Sequence, residues 1–398
     1  MIGRSNLRNF RHTISPSYKS NANAMNEGVL HLVHSRRFYG AEAVILNLCL
    51  GLRELGYRSV IGCFCDHDSR LPDLAIKARE RGIHVECISF RRKIDHKPLA
   101  RIKRIMGHNG LTLLHSHGYK PSVYCMLAKL IYGFPFVVTC HLWTRETRRL
   151  ELYAFFERLC MLSAKKVIGV SAPIVMDINK WNCLKAKTLI INNGIDVTKY
   201  TTPPTRAAEA RLREELGIRN DAKVVGTVGR LTLQKNHEAF LDAASIVQKH
   251  LKNTEFVIVG DGYRMDYLKS YAKSLGLERR VHFLGFRNDA IQVLSLFDAF
   301  VLSSRDEGLP IVILEAMSVG VPVIATKVGE ITNVIEHLKE GLLVEKPDAT
   351  ILASSILRVL TDHRLASRLV TSALKKVRNE YSIGRMCEKY VDVYRNLH

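Results

Sequence analysis

The sequence has no C-x-x-C pair among its nine cysteines. Metal and redox frameworks want closer ligand spacing, so a reduced, intracellular chain is expected. Cys63 and Cys65 alternate along an apolar run and read as core residues. No window of 18 residues is free of charges and breakers. The nearest, "VYCMLAKLIYGFPFVVTC" (123–140), is interrupted by Lys129, Gly133 and Pro135. It reads as a helix followed by a buried strand rather than a membrane span. There is no repeat of solenoid length, and no helix-turn-helix, zinc-finger or RRM signature for nucleic acid. The first 24 residues hold Arg4, Arg8, Arg11 and Lys19, no acid and no apolar secretion core. They read as a disordered basic extension, with Met25 as an alternative start.

Acid is scarce in one half only. Residues 1–200 carry 31 Lys+Arg against 14 Asp+Glu, a net +17, which leaves +4 of the total +21 for the rest. The first half is therefore expected to bind anionic matter such as lipid, phosphate or nucleic acid. "RRKIDHKPLARIKR" (91–104) has seven Lys and Arg and one Asp. "RETRRLELYAFFERL" (145–159) sets arginines beside Tyr153, Phe155 and Phe156. That composition suits an anionic membrane surface, and it also suits a solvated helix face.

At 398 residues, 47% hydrophobic and 24% charged, the chain fits two globular domains. Short apolar runs alternate with amphipathic stretches. Strands are expected at 28–35, 58–64, 112–117, 135–141, 166–171 and 188–194. After the proline pair in "TTPPTR" (201–206) the alternation restarts, with strands at 223–230, 255–262, 281–286, 299–304 and 321–326. Strands separated by helices argue for parallel sheets. The expected architecture is α/β, with two Rossmann-like doubly wound domains at 26–200 and 201–375. The helix of 376–398 can close either one, by staying on the second or by crossing back to the first.

In such sheets ligands bind at the carboxyl ends of the strands. In the second domain that rule selects "GRLTLQKN" (229–236), "GDGYR" (260–264), "SRDEGLP" (304–310) and "TKVGE" (326–330). Arg230 and Lys235 with neighbouring glycines suit a diphosphate. "EGLPIVILE" puts Glu307 in a loop, Pro310 at the first helical position and Glu315 further along, with Gly320 suited to the helix end. Gly308 and Leu309 offer N–H groups where the helix dipole favours an anion. An acid, an anion seat and a second acid are what a nucleotide-sugar requires. An isolated E-x7-E would instead read as a helix-mouth acid and a buried paired acid; the cations nearby favour the ligand.

The order of "GTVGRLTLQKN", "FVIVGDG", "HFLGF", "FDAFVLSSRDEGLPIVILEAMSVGVPVIAT" and "VGEI" resembles the donor domain of the family 4 retaining glycosyltransferases, of GT-B fold. "FYGAEAVILNL", "HSHGYK", "VVTCH", "VIGVS" and "INNGID" resemble the family's first domain. The likeness covers roughly residues 28–365. It implies two domains facing a central cleft and a retaining, metal-independent sugar transfer from a nucleoside diphosphate donor with no cofactor. The acceptor implied is a saccharide or a lipid-linked saccharide, as in cell-surface polysaccharide or lipopolysaccharide synthesis, with the enzyme cytoplasmic and peripheral on the membrane.

The resemblance gives Glu307 the transferred sugar's hydroxyls, Glu315 the ribose, and Arg230 and Lys235 the diphosphate. Gly285, Gly308, Leu309 and Gly329 complete the donor seat. Gly40 approaches from the first domain, and His141 stands beside the sugar. His117 and Tyr119 are candidates for the acceptor, and domain closure is expected to complete the site. One departure stands out. The family's Gly-Gly is here Gly329-Glu330, which places a third carboxylate near the diphosphate. "DHD" (66–68) matches an Asp-x-Asp metal site of another glycosyltransferase fold, but turn chemistry explains it as well. "HSH" (115–117) shows no close partner set for zinc, which needs three or four ligands. Rival readings are a sugar-nucleotide epimerase of the same fold and a basic nucleic-acid-binding protein.

Overall fold

The computed structural model describes residues 28–34, 38, 40–66, 71–90, 96–141, 148–197, 205–307 and 309–397; within 148–152 only the backbone is described. Two compact units divide the chain. One comprises Met1–Asp196 with Tyr381–His398, the other Val197–Glu380.

The first unit is built from β1 (Gly28–Val33), α1 (Gly40–Glu54), β2 (Arg58–Asp66), α2 (Asp73–Glu80), β3 (His84–Phe90), α3 (Lys97–His108), β4 (Leu113–His117), α4 (Tyr119–Tyr132), β5 (Phe136–Cys140), α5 (Arg148–Ser163), β6 (Lys166–Gly169), α6 (Ala172–Ile178) and β7 (Thr188–Ile190). The seven strands are parallel in the order β3-β2-β1-β4-β5-β6-β7. The strands β1, β4 and β5 are buried at every residue, as parallel strands covered on both faces must be. On one face Leu30, Leu32, Leu114 and Val138 pack with α3 and α4.

The second unit holds α7 (Arg206–Glu215), β8 (Lys223–Val228), α8 (His237–His250), β9 (Thr254–Val259), α9 (Met265–Ser274), β10 (Val281–Gly285), α10 (Ala290–Leu294), β11 (Ala299–Leu302), α11 (Ile311–Ser318), β12 (Val323–Thr326), α12 (Ile331–Val334), β13 (Leu342–Val344), α13 (Ala349–Thr361) and α14 (His363–Glu380). Its six strands are also parallel, ordered β10-β9-β8-β11-β12-β13. The core lies between the sheet and its helices, with Phe240, Phe256, Ile258 and Leu352 fully buried.

The last helix, α15 (Ile383–Arg395), returns to the first unit. Ile195 and Ser382 form a parallel bridge at the return. Ile383, Met386, Cys387, Tyr390, Val391 and Tyr394 then pack against Val29, Leu113 and Val137 on the sheet face opposite α3 and α4. The burial recurs at the spacing of one helical stripe.

Two strands were not expected from sequence. The strand β3 has one neighbour, β2, and only Val85 and Ile88 of its seven residues are buried. Glu86 in its middle pairs with Arg101 at 2.6 Å, so an edge strand reads as polar. The strand β13 is three residues long, too short for any period. Pro310 is not the first helical residue; it caps α11 in extended conformation, and the helix begins at Ile311. Gly320 follows it with φ +79°. The basic extension and residues 91–95 and 198–204 lie outside the described residues, as do Asp68 and Arg145.

Candidate active site

The sheet order of the second unit sets the loops after β9, β8, β11 and β12 side by side. Backbone contact locks them. Gly260 and Gly262 sit so close to the 229–231 backbone that a Cβ at either would collide with it. Arg305 N donates to Gln234 O at 2.8 Å. Gly329 has φ +52°, and a Cβ there would collide with the Glu307 carbonyl oxygen. Only glycine fits both constraints. The loop after β12 therefore holds the Glu307 backbone in place.

Glu307 is buried. Its Oε1 accepts from Lys235 Nζ at 2.5 Å and from Ser304 Oγ at 2.6 Å. Lys235 is itself anchored, since Ser303 Oγ donates to the carbonyls of Lys235 and Asn236. The strand β11 stops at Leu302, which frees both serine hydroxyls for the loop. Lys235 is thus partnered before any ligand arrives. Arg230 is exposed and makes no ion pair among the described residues. The two cations differ in kind: Lys235 is paired with Glu307, and Arg230 stands exposed.

Glu315 lies in α11, half-buried, and Leu309 precedes that helix. Gly308 lies outside the described residues. Gly285, at φ +65°, accepts from Gly260 N at 2.8 Å. Glu330 is buried and takes a hydrogen bond from Asn333 Nδ2 at 2.8 Å. Its Oε2 is held by the helix that follows.

In the first unit, histidine rings cross the sheet near its carboxyl edge. His31 Nδ1 lies 3.1 Å from His117 Nε2, and His117 Nδ1 lies 3.0 Å from His141 Nε2. His115 is held by Tyr394 OH and Thr139 Oγ1, each at 2.7 Å, and Tyr390 OH joins Thr139 at 3.1 Å. Strand parity places all of these on the face that α15 covers. Burial pushes His31 down to about 3 and His141 to about 4, and holds His115 and His117 well below the usual histidine range.

One expectation changes here. "HSH" does have a close partner: His31, His115 and His117 bring ring nitrogens within 4.8 Å of one another. Five of their six ring nitrogens are taken, by each other, His141, Tyr394 and Thr139, and His31 Nε2 is left over, so three ligands could gather on one metal only by breaking some of those bonds. His117, a candidate for the acceptor, lines a cavity, and both its ring nitrogens are bonded to other histidines. Sequence reasoning passed over His31; a histidine amid the apolar run "GVLHLV" was the available signal, since a buried ring needs a polar partner.

A cavity of about 130 Å³ lies beside this series, lined by His34, Glu42, His117, Gly118, His141 and Glu157. Gly40 opens α1 and has nothing within 4 Å of where a Cβ would stand. Tyr119, exposed at the start of α4, stacks on Tyr153 with ring centroids 4.6 Å apart and planes 6° apart.

The profile described as Glycosyl transferases group 1 matches residues 208–376, and that of Glycosyltransferase Family 4 matches residues 38–199. The Escherichia coli UDP-Gal:alpha-D-GlcNAc-diphosphoundecaprenol alpha-1,3-galactosyltransferase is 30% identical over 312 residues, covering 75% of this chain and 79% of that protein. The chain belongs to the family 4 glycosyltransferases. A second relative of this glycosyltransferase, the D-inositol 3-phosphate glycosyltransferase of Corynebacterium urealyticum, is 27% identical, covering 72% of this chain and 71% of that one. Among solved structures, Anabaena HepE in complex with UDP superposes with a TM-score of 0.80 at 23% identity, covering 93% and 100% of the two chains. That likeness establishes the GT-B fold.

Proposed function

We propose that this glycosyltransferase is retaining and metal-independent, moving a sugar from a nucleoside diphosphate donor to a saccharide acceptor carried on a lipid. The observation that carries the reading is the Lys235–Glu307–Ser304 cluster with Arg230 open beside it. Arg230 supplies a planar fork of donors to the diphosphate, and Lys235 can share its charge between Glu307 and a phosphate oxygen. Both stabilise negative charge on the departing nucleotide without a metal ion. Glu307, oriented by two donors, accepts from hydroxyls of the transferred sugar, and Glu315 takes the ribose. His141 is the first unit's candidate for a contact with the sugar. Glu307 is assigned to the sugar's hydroxyls and Glu315 to the ribose rather than to nucleophilic attack, so departure and attack are assigned to the same face. The E. coli relative's lipid diphosphate acceptor and the UDP of the Anabaena structure both support this class of donor and acceptor.

The stacked Tyr119–Tyr153 pair suits the apolar face of an acceptor sugar. Peripheral attachment at the cytoplasmic face of an anionic membrane belongs to the same reading. Phe155, Phe156, Leu159 and Leu162 are exposed on α5, and Leu130 and Ile131 on the adjoining α4. Exposed apolar patches of this kind mark contact surfaces, and the basic excess of the first half supplies the attraction to anionic lipid. No helix among the described residues is long and apolar enough to cross a membrane.

The test is a donor panel with purified protein, measuring nucleoside diphosphate release with and without lipid-linked acceptors. Release that depends on an acceptor, with the anomeric configuration kept, is expected. No release with any donor, together with tight, salt-sensitive RNA binding, would overturn the enzyme reading. Flotation with liposomes should rise with anionic lipid content; indifference to it would refute the membrane surface.

A further inference from the structure

The series His31–His117–His141 has a property that hydrogen-bond bookkeeping exposes. Burial keeps all three rings neutral near pH 7. A neutral imidazole carries one N–H and one lone pair. Both links join an Nδ1 to an Nε2, so only two proton arrangements satisfy both. In the first, every Nδ1 carries the hydrogen. His31 donates to His117, His117 donates to His141, and His141 Nδ1–H is left at the end. In the second, every Nε2 carries the hydrogen, and the leftover N–H is that of His31 Nε2. Any mixture sets two hydrogens or two lone pairs face to face.

The two ends decide between them. His31 Nε2 and His141 Nδ1 are both buried without a partner among the described residues. His31 is fully buried in the middle of β1, and an N–H there would be a donor with nothing to receive it. His141 is among the residues lining the cavity, with Glu42, Glu157, His34 and Cys140, and His31 is not. A bound oxygen entering that cavity can satisfy an N–H at His141, and none can reach one at His31. His115 does not compete, because Tyr394 and Thr139 occupy its nitrogens.

We infer that His141 presents its Nδ1–H as a fixed hydrogen-bond donor to an oxygen of the bound substrate, and that His117 and His31 are positioning residues that hold this tautomer. The substrate's identity rests on the function proposed above; the tautomer does not. Nδ1 of His141 then cannot serve as a base. It orients a sugar oxygen or stabilises negative charge on one, and the ring's lone pair is spent on His117.

The decisive measurement needs no substrate. Two-bond 15N–1H correlation spectra of the full chain labelled with 15N-histidine, assigned with single His→Gln variants, report each tautomer. His31, His117 and His141 should all be protonated on Nδ1, unchanged between about pH 6 and 8. An Nε2–H at His141, or a charged ring there, overturns the inference even if the enzyme transfers sugar as proposed. Kinetics give a second readout. His31→Leu should lower kcat by about 10-fold, the scale of losing a partner that orients a functional histidine, with the donor KM nearly unchanged. His31→Asn, whose amide can replace the Nδ1–H, should recover most of it. Equal loss in both variants would also count against the series.

Discussion

Replacing Lys235 with Met should destabilise the second unit and abolish turnover, and the first effect can be worked from the structure. The Glu307 side chain is 7% exposed and the Lys235 side chain 15%, with nitrogen and oxygen 2.5 Å apart. Removing one partner of a buried pair leaves a charge out of water, at about 3–5 kcal/mol. Ser304 still donates to the same oxygen at 2.6 Å, so the lower end, about 3 kcal/mol, applies. For a unit of this size that lowers its melting temperature by roughly 6–12 °C. The double variant Lys235→Met/Glu307→Gln removes both charges and should recover most of the loss, since a neutral pair carries little desolvation penalty. It should remain inactive, because the cation and the carboxylate are both gone. Calorimetry of the four proteins closes the cycle. If Lys235→Met costs under about 1 kcal/mol, or if the double variant is as unstable as the sum of the singles, Glu307 is not held as described.

Arg230→Ala should leave stability within about 0.5 kcal/mol, as for other exposed positions, yet cut turnover; an unfolding curve and nucleotide release on one preparation check both. Glu315→Ala should weaken donor affinity more than it lowers kcat, and unchanged affinity by calorimetric titration would move the ribose elsewhere. Gly329→Ala should lower both stability and activity, since its Cβ displaces the Glu307 backbone; a wild-type profile would mean that the loop is looser than its geometry. The histidine series makes the first unit acid-sensitive. His31 and His141 fall from 6.5 to about 3 and about 4 on folding, so their stabilisation is full above pH 6.5. It is lost as pH falls toward those values, because the unfolded chain binds protons that the folded one refuses. Each such ring contributes a slope of about 1.4 kcal/mol per pH unit in that window. Urea midpoints between pH 7 and 5 should fall, and His31→Gln should flatten the fall.

Much of this protein was legible from local pattern. Parallel strands buried on both faces read as short runs rich in apolar residues, so β1, β4, β8, β9 and β11 could be placed within a residue or two at their starts. The loops carrying Arg230, Lys235 and Glu307 followed from the rule that ligands sit at carboxyl edges. The strands β3 and β13 were not legible, because an edge strand alternates with polar residues and three residues carry no period.

The sequence alone determined the kinds of element, their order and the chemistry offered at each loop, since these depend on residues near one another in the chain. Tertiary structure decided the pairings. It gave Lys235 to Glu307 across 72 residues, laid Tyr390 and Tyr394 of the returning helix under His115 and Thr139, and drew His31 into line with His117 and His141. Such partners come together only when strands far apart in sequence become neighbours in a sheet, and a buried polar group takes the partner that folding brings to it.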